Sequence, residues 1–167
     1  MLSGGFALAA WFDGEHAGDF VQTMGGYHPD FPVPAHYPSV PRLAFDWHMS
    51  DKLQVTGDAY FALTAHAFMA GGYLDAAWKD GSLEAHFKAG SDFLISWKPF
   101  YYEIDVSVDF SVKYTYHLFG KHHIKADVGA DLNLWGPDFA GKAKIHLHVV
   151  SVSVSFGGSK QKAQPID

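Results

Sequence analysis

Eleven histidines in a chain of 167 residues put metal binding first among the chemistries to consider. His146 and His148 stand two apart, which on a strand places both side chains on one face, and His117 and His123 flank Gly120 so that a hairpin folded there sets them opposite each other. Neutral imidazole nitrogens paired in this way are ligands for zinc or copper. A turn at Gly136, however, carries His146 and His148 towards Asp127 and Lys125, some rungs from the hairpin tip. The four histidines therefore make two incomplete pairs rather than one site, and the plain alternative is polar-face residues bonded to carboxylates. A second set, Tyr27, His28, Asp30, His36 and Tyr37, places imidazole, carboxylate and phenol on a proline-stiffened loop, where they could bind a ligand or move a proton. Used catalytically, the set would be His28, Asp30, His36 and Tyr37; used structurally, it would pin a lid to the sheet beneath. Asp105, Asp109 and Asp131 share a strand face and suggest calcium or glycosidase chemistry, but a flat strand face is a poor cage for calcium. No nucleophile elbow, phosphate loop or dinucleotide fingerprint occurs. The absence of cysteine excludes thiolate nucleophiles, zinc–thiolate sites and disulfides.

The elements that must position these residues are strands. From Phe100 to Leu118 the residues Phe100, Tyr102, Ile104, Val106, Val108, Phe110, Val112, Tyr114, Tyr116 and Leu118 alternate with mostly polar ones, the period-two signature of a sheet with one face buried and one wet. Ile124, Ala126, Val128, Ala130, Leu132 and Leu134 repeat the pattern, so a long hairpin about Gly120 is expected, pairing Phe110 with Ala130 and Val108 with Leu132. After Gly136-Pro137-Asp138 a third strand carries Phe139, Ala143, Ile145, Leu147 and Val149. The apolar phase then jumps to Val150, Val152, Val154 and Phe156, which predicts a β-bulge near Val149. Weaker strands are legible at Phe6 to Phe12, Phe20 to Met24, Leu43 to Met49, Leu53 to Leu63, Phe68 to Trp78 and Leu83 to Trp97, with turns at Asp13-Gly14, Ser50-Asp51-Lys52, Asp80-Gly81 and Lys98-Pro99. The segment Gly90 to Phe100 is echoed by Gly129 to Phe139, and faintly by Gly57 to Phe61, a repeat of about one hairpin.

Gly25 to Arg42 breaks the meander, holding five of the eight prolines, and cannot be a central strand. An extended, partly polyproline segment crossing one end or edge of the sheet is expected, with Gly25-Gly26 allowing a sharp exit. The expected fold is thus all-β, an antiparallel up-and-down meander of about 8–10 strands, barrel-like or strongly curved, with a proline-rich crossing loop. Residues 1–157 make one domain and 158–167 a flexible tail.

Composition narrows the function. Aromatic residues reach 16% and charged residues only 18%, and the net charge is -6 with Lys and Arg scattered, so the electrostatic footprint of a nucleic-acid binder is missing. No run approaches the roughly 18 apolar residues of a membrane-spanning helix. Met1 to Phe6 lacks the basic start and apolar core of a signal peptide. Because Gly5 to Phe12 already alternates as if in mid-sheet, the start reads as cut from a longer β protein.

Several motifs carry a resemblance: Gly-Gly-Tyr-His-Pro at 25–29, Pro-Ala-His-Tyr-Pro at 34–38, Val40-Pro41-Arg42-Leu43, Gly57 to Thr64, Met69-Ala70-Gly71-Gly72, Asp92 to Ile95, and Gly129 to Leu132 followed by Trp135-Gly136-Pro137. Over nearly its whole length the chain resembles the carboxy-terminal part of very large bacterial and fungal proteins grouped as domain of unknown function 6603. The resemblance implies a fragment of a long β-rich protein, keeps an exported-cargo role open, and supplies no catalytic residues.

Taken together, a non-enzymatic β module at the end of a larger protein is expected. It would bind an apolar small molecule or lipid, or dock to the rest of its parent or to itself through sheet edges. Tyr27, His28, His36 and Tyr37 from the loop, with Phe100, Tyr102, Phe110 and Tyr114 from the long strand, are the expected ligand contacts. The alternatives are a small metal- or histidine-dependent enzyme using the Tyr27 to Tyr37 loop, and a membrane-associated barrel. No cofactor is expected unless a transition metal sits on the histidines at 117, 123, 146 and 148.

Overall fold

The computed structural model describes residues 1–161, and no helix occurs among them. Eleven strands form a single antiparallel sheet: β1 (Leu2–Ser3), β2 (Phe6–Ala10), β3 (Phe20–Met24), β4 (Leu43–His48), β5 (Leu53–Thr64), β6 (Ala67–Asp80), β7 (Leu83–Trp97), β8 (Phe100–His117), β9 (Lys121–Trp135), β10 (Ala140–Leu147) and β11 (Val150–Phe156). The sheet runs β1-β4-β5-β6-β7-β8-β9-β10-β11 and does not close, so the open curved form of the meander is realised and the barrel form is not.

One edge of β5 is shared. β4 pairs with its first half, Leu43 opposite Ala59, and β3 with its last residues, Met24 opposite Phe61. The chain leaves the sheet where these two strands abut, at Gly25 and Gly26, whose φ angles are 76° and 91°. A Cβ on Gly25 would meet the Ala59 carbonyl oxygen at 2.3 Å, so both the left-handed turn and the close approach require glycine there. Residues 27–42 then cross the sheet as the expected proline-rich segment. Turns in which the Phe31 amide donates to the His28 carbonyl and the Tyr37 amide to the Pro34 carbonyl tie it together.

Two local expectations are corrected. The β8–β9 hairpin is centred on Phe119, one position before Gly120, which moves every cross-strand partner by two, with His117 opposite Lys121, Phe110 opposite Val128 and Val108 opposite Ala130. Phe119 takes the left-handed conformation (φ 54°) and closes the loop before Gly120. The phase jump at Val149 is a two-residue hairpin turn rather than a bulge, because Leu147 pairs with Val150. Over its described part, the tail expected from residue 158 is hydrogen-bonded to the sheet through two backbone carbonyls. The Gly158 carbonyl accepts from Trp135 Nε1 at 3.1 Å, and the Gln161 carbonyl accepts from Tyr101 Oη at 3.1 Å. The rest of that tail, 162–167, lies outside the described residues.

The largest departure concerns which face is covered. The buried cluster of Val21, Phe31, Tyr37, Tyr60, Ala62, Ala67, Met69, Leu94 and Tyr101 lies between the proline-rich segment and the mostly polar face of the sheet. On β8 this buries Tyr101 and Glu103 and leaves Phe100 57% and Phe110 44% exposed, the reverse of the expectation from alternation. A 16-residue loop without long side-chain ladders covers only the end of the sheet where small residues, Ala62 and Ala67, let it approach.

Candidate functional site

Two rows of residues run across the strands beneath the proline-rich segment. Ala62, Met69, Leu94, Glu103 and Trp135 form one; Tyr60, Gly71, Asp92, Asp105 and Asn133 form the next. Register alone therefore gathers three carboxylates, Asp92 from β7 with Glu103 and Asp105 from β8, on one patch of sheet. Tyr60 donates to Asp92 Oδ1 at 2.7 Å, and its ring carries the Arg42 guanidinium 3.9 Å from its centroid. Asn133 Nδ2 donates to Asp105 Oδ1 at 2.5 Å. Tyr101 donates to Glu103 Oε2 at 2.9 Å.

From above, the segment lowers His28 onto this patch. Its backbone amide points at Met69 Sδ at 3.4 Å, its ring stands edge-on to Tyr60, and it is 3% exposed. The Asp30 amide donates to His28 Nδ1 at 3.1 Å, which leaves the ring proton of the neutral form on Nε2, a buried atom with no hydrogen-bond partner among the described residues. Burial pushes the His28 pKa below its ordinary value against the pull of Asp92, Asp30 and Asp105. Glu103, 1% exposed, is raised by burial in spite of Lys160, whose ammonium pairs with it and with Asp30 at 3.3 Å. Burial opposes ionisation of Asp30 too, but hydrogen bonding to Lys160 and Glu103 together with the charges of Lys160 and His28 outweighs it and holds that carboxyl below its usual range. Burial likewise raises the phenols of Tyr60 and Tyr101, helped by Asp92 and Glu103 respectively. Beside this patch, Arg42, Tyr73, Asp58, Asp92, Asp105 and Asp131 border a half-open cleft of about 550 Å³.

The remaining loop residues belong to a separate cluster. Asp19, just ahead of β3, accepts from His36 Nε2 at 2.9 Å and from Tyr37 Oη at 2.8 Å, while His16 stacks on His36 with ring centroids 3.7 Å apart and Trp11 lies edge-on to it. Burial and Asp19 together raise the Tyr37 phenol. Tyr27 donates to the Pro38 carbonyl at 2.7 Å, and burial pushes its pKa up to about 12. The structure thus splits the loop set: His28 and Asp30 face the carboxylates, whereas His36 and Tyr37 are spent on Asp19.

Phe100, Tyr102, Phe110 and Tyr114 lie on the opposite face of the sheet and share no site with the loop residues. Following the register outward, their face presents Phe45 and Trp47 on β4, Leu74 and Trp78 on β6, Phe87, Phe93 and Ile95 on β7, Val128 and Leu132 on β9, and Val152 and Val154 on β11. From β4 to β11 it carries no Lys, Arg or Glu, one Asp at the tip of the β6–β7 hairpin (Asp80) and one His (His122, stacked on Tyr116).

The histidines singled out for metal are placed otherwise than as one centre. His123 lies opposite Thr115 and takes it as hydrogen-bond partner at 3.0 Å, and His117 lies opposite Lys121, so those two are diagonal neighbours. His146 Nε2 reaches Asp131 at 2.6 Å and His148 Nδ1 reaches Asp127 at 2.5 Å. Asp92, Glu103, Tyr60 and Lys160 were missed. Glu103 and Asp92 stand on strand faces that alternation marks as wet, and only the cross-strand register, together with the loop above, reveals Glu103 as buried and Asp92 as half-buried.

A family model described as a family of unknown function, DUF6603, matches residues 1–167. The chain belongs to this family. No curated protein and no solved structure matches it. For this DUF6603 chain the candidate chemistry therefore rests on the two surfaces themselves: a histidine–carboxylate pocket under the loop, and an uncharged face behind it.

Proposed function

We propose that this DUF6603 chain is a non-enzymatic β module of a larger protein that docks through its uncharged face. In the isolated chain the occupant of that face is a second copy packed sheet on sheet. The observation that carries the proposal is the run of exposed apolar side chains from β4 to β11 with no charge inside its borders. Strand spacing and rise give this face an extent on the order of 1,000 Å², above the roughly 800 Å² per partner of a stable interface and above the few hundred Å² that monomers ordinarily expose. Covering it is worth about 25 kcal/mol in gross transfer free energy per face, against an association cost of about 4–15 kcal/mol. Aromatic ridges such as Phe87 and Phe93 alternate with Ala85 and Ala89, the relief that lets two sheets interdigitate at about 10 Å separation.

One observation favours a long-chain lipid as the second occupant. A shallow depression of about 530 Å³, lined in part by Phe45, Gly72, Leu74, Ala89, Val106 and Val108, falls within the size range of apolar ligand sites. Native mass spectrometry with sedimentation analysis of the protein as purified separates the two. A dimer of clean mass that Val108→Asp converts to monomer supports sheet docking. A monomer carrying a discrete lipid mass replaces that proposal with the lipid, and a clean monomer overturns both.

A further inference from the structure

We propose that His28, Glu103 and Asp105 form a binding site for a divalent metal ion of the zinc–manganese class, with Lys160 as a tethered cation that the metal displaces. One nitrogen of His28 and one carboxylate oxygen from each acid lie within 4.8 Å of one another. Donors bound to one such ion at 2.0–2.2 Å stand about 3–4.4 Å apart, so a small contraction brings all three into the coordination sphere. One imidazole with two carboxylates is a mixed set that suits zinc or manganese better than the all-oxygen set of calcium. The supports are in place: Asn133 orients Asp105, and Tyr101 orients Glu103.

Independent of the acids, His28 Nε2 is buried and has no hydrogen-bond partner among the described residues, although a buried polar atom in a native fold ordinarily has one. To bind metal through Nε2, the ring moves its proton to Nδ1 and gives up the contact from the Asp30 amide, so no net proton is released by His28. Lys160 leaves Glu103 and stays with Asp30, which exchanges one positive charge in the pocket for two. This site is not among the histidines at 117, 123, 146 and 148, and it lies on the face opposite the docking surface, so each proposal stands or falls alone.

The test titrates the full chain with zinc or manganese chloride, followed calorimetrically and by thermal unfolding. One ion per chain with a raised melting temperature is expected. Lys160→Met should bind about tenfold tighter, and His28→Gln about tenfold weaker, while His146→Gln should leave affinity unchanged. Equal affinity in wild type and His28→Gln, or a loss in His146→Gln instead, overturns the site. In the unmodified chain, manganese must broaden the NMR signals of the His28 ring before those of His146 and His148. The opposite order overturns it without any variant.

Discussion

Gly71 on β6 leaves the space that the ring of Tyr60 fills: a Cβ there would come within 2.6 Å of the ring and of the Ser91 carbonyl oxygen. The absent side chain thus lets Tyr60 lie flat across the sheet and reach Asp92. Gly71→Ala should push the ring away and cost about 1–3 kcal/mol through overpacking. Urea denaturation measures this, and a variant as stable as wild type would mean that the Tyr60–Asp92 contact is not fixed by the glycine.

His28 should make the protein acid-sensitive. Because burial lowers its folded pKa, the contribution to stability is complete above the unfolded value of about 6.5 and is lost as pH falls towards the folded value. In that window the unfolded chain takes up a proton that the folded chain refuses, with a slope of at most about 1.4 kcal/mol per pH unit. His28→Gln removes this term, so its stability between pH 7.5 and 5.5 should fall less steeply than that of wild type. Parallel curves would place the titrating group elsewhere.

His36 and Tyr37 should be energetically coupled through Asp19. Burial opposes the charge of that carboxyl, but the two side chains, with the Phe20 amide, outweigh it and hold its pKa below the usual range. Tyr37→Phe or His36→Ala alone should cost about 1 kcal/mol. The double variant should lose at least about 0.5 kcal/mol more than the sum, since Asp19 is then half-buried with neither partner. Strict additivity in a double-mutant cycle would show that the two contacts do not share one carboxylate.

Much of the fold was legible because period-two alternation is strong wherever strands are long. The limits of β3 match the expected Phe20 to Met24, and those of β7 the expected Leu83 to Trp97. The hairpin register was harder, since nothing in Leu118-Phe119-Gly120 announces that Phe119 joins Gly120 at positive φ and becomes the centre of the turn. The burial of the faces was misread for a deeper reason. Alternation tells that two faces differ, not which one the chain itself covers, and here the sequence-distant segment 27–42 lies over the polar one. The pocket was half legible: His28 and Asp30 stood out on their proline frame, but their carboxylate neighbours become neighbours only through the pairing of β5, β6, β7 and β8.

The last strand of the sheet, β11, reads Val-Ser-Val-Ser-Val-Ser-Phe and contains none of the lysines, prolines or inward charges with which sheet margins discourage newcomers. Its outer row of amides and carbonyls is a template with a defined polarity, valine towards one side and serine towards the other. Any extended segment that continued this alternation would prolong the molecule by about 4.8 Å per strand, keeping greasy and wet sides in phase. Growth in that direction would meet no built-in stop among the described residues.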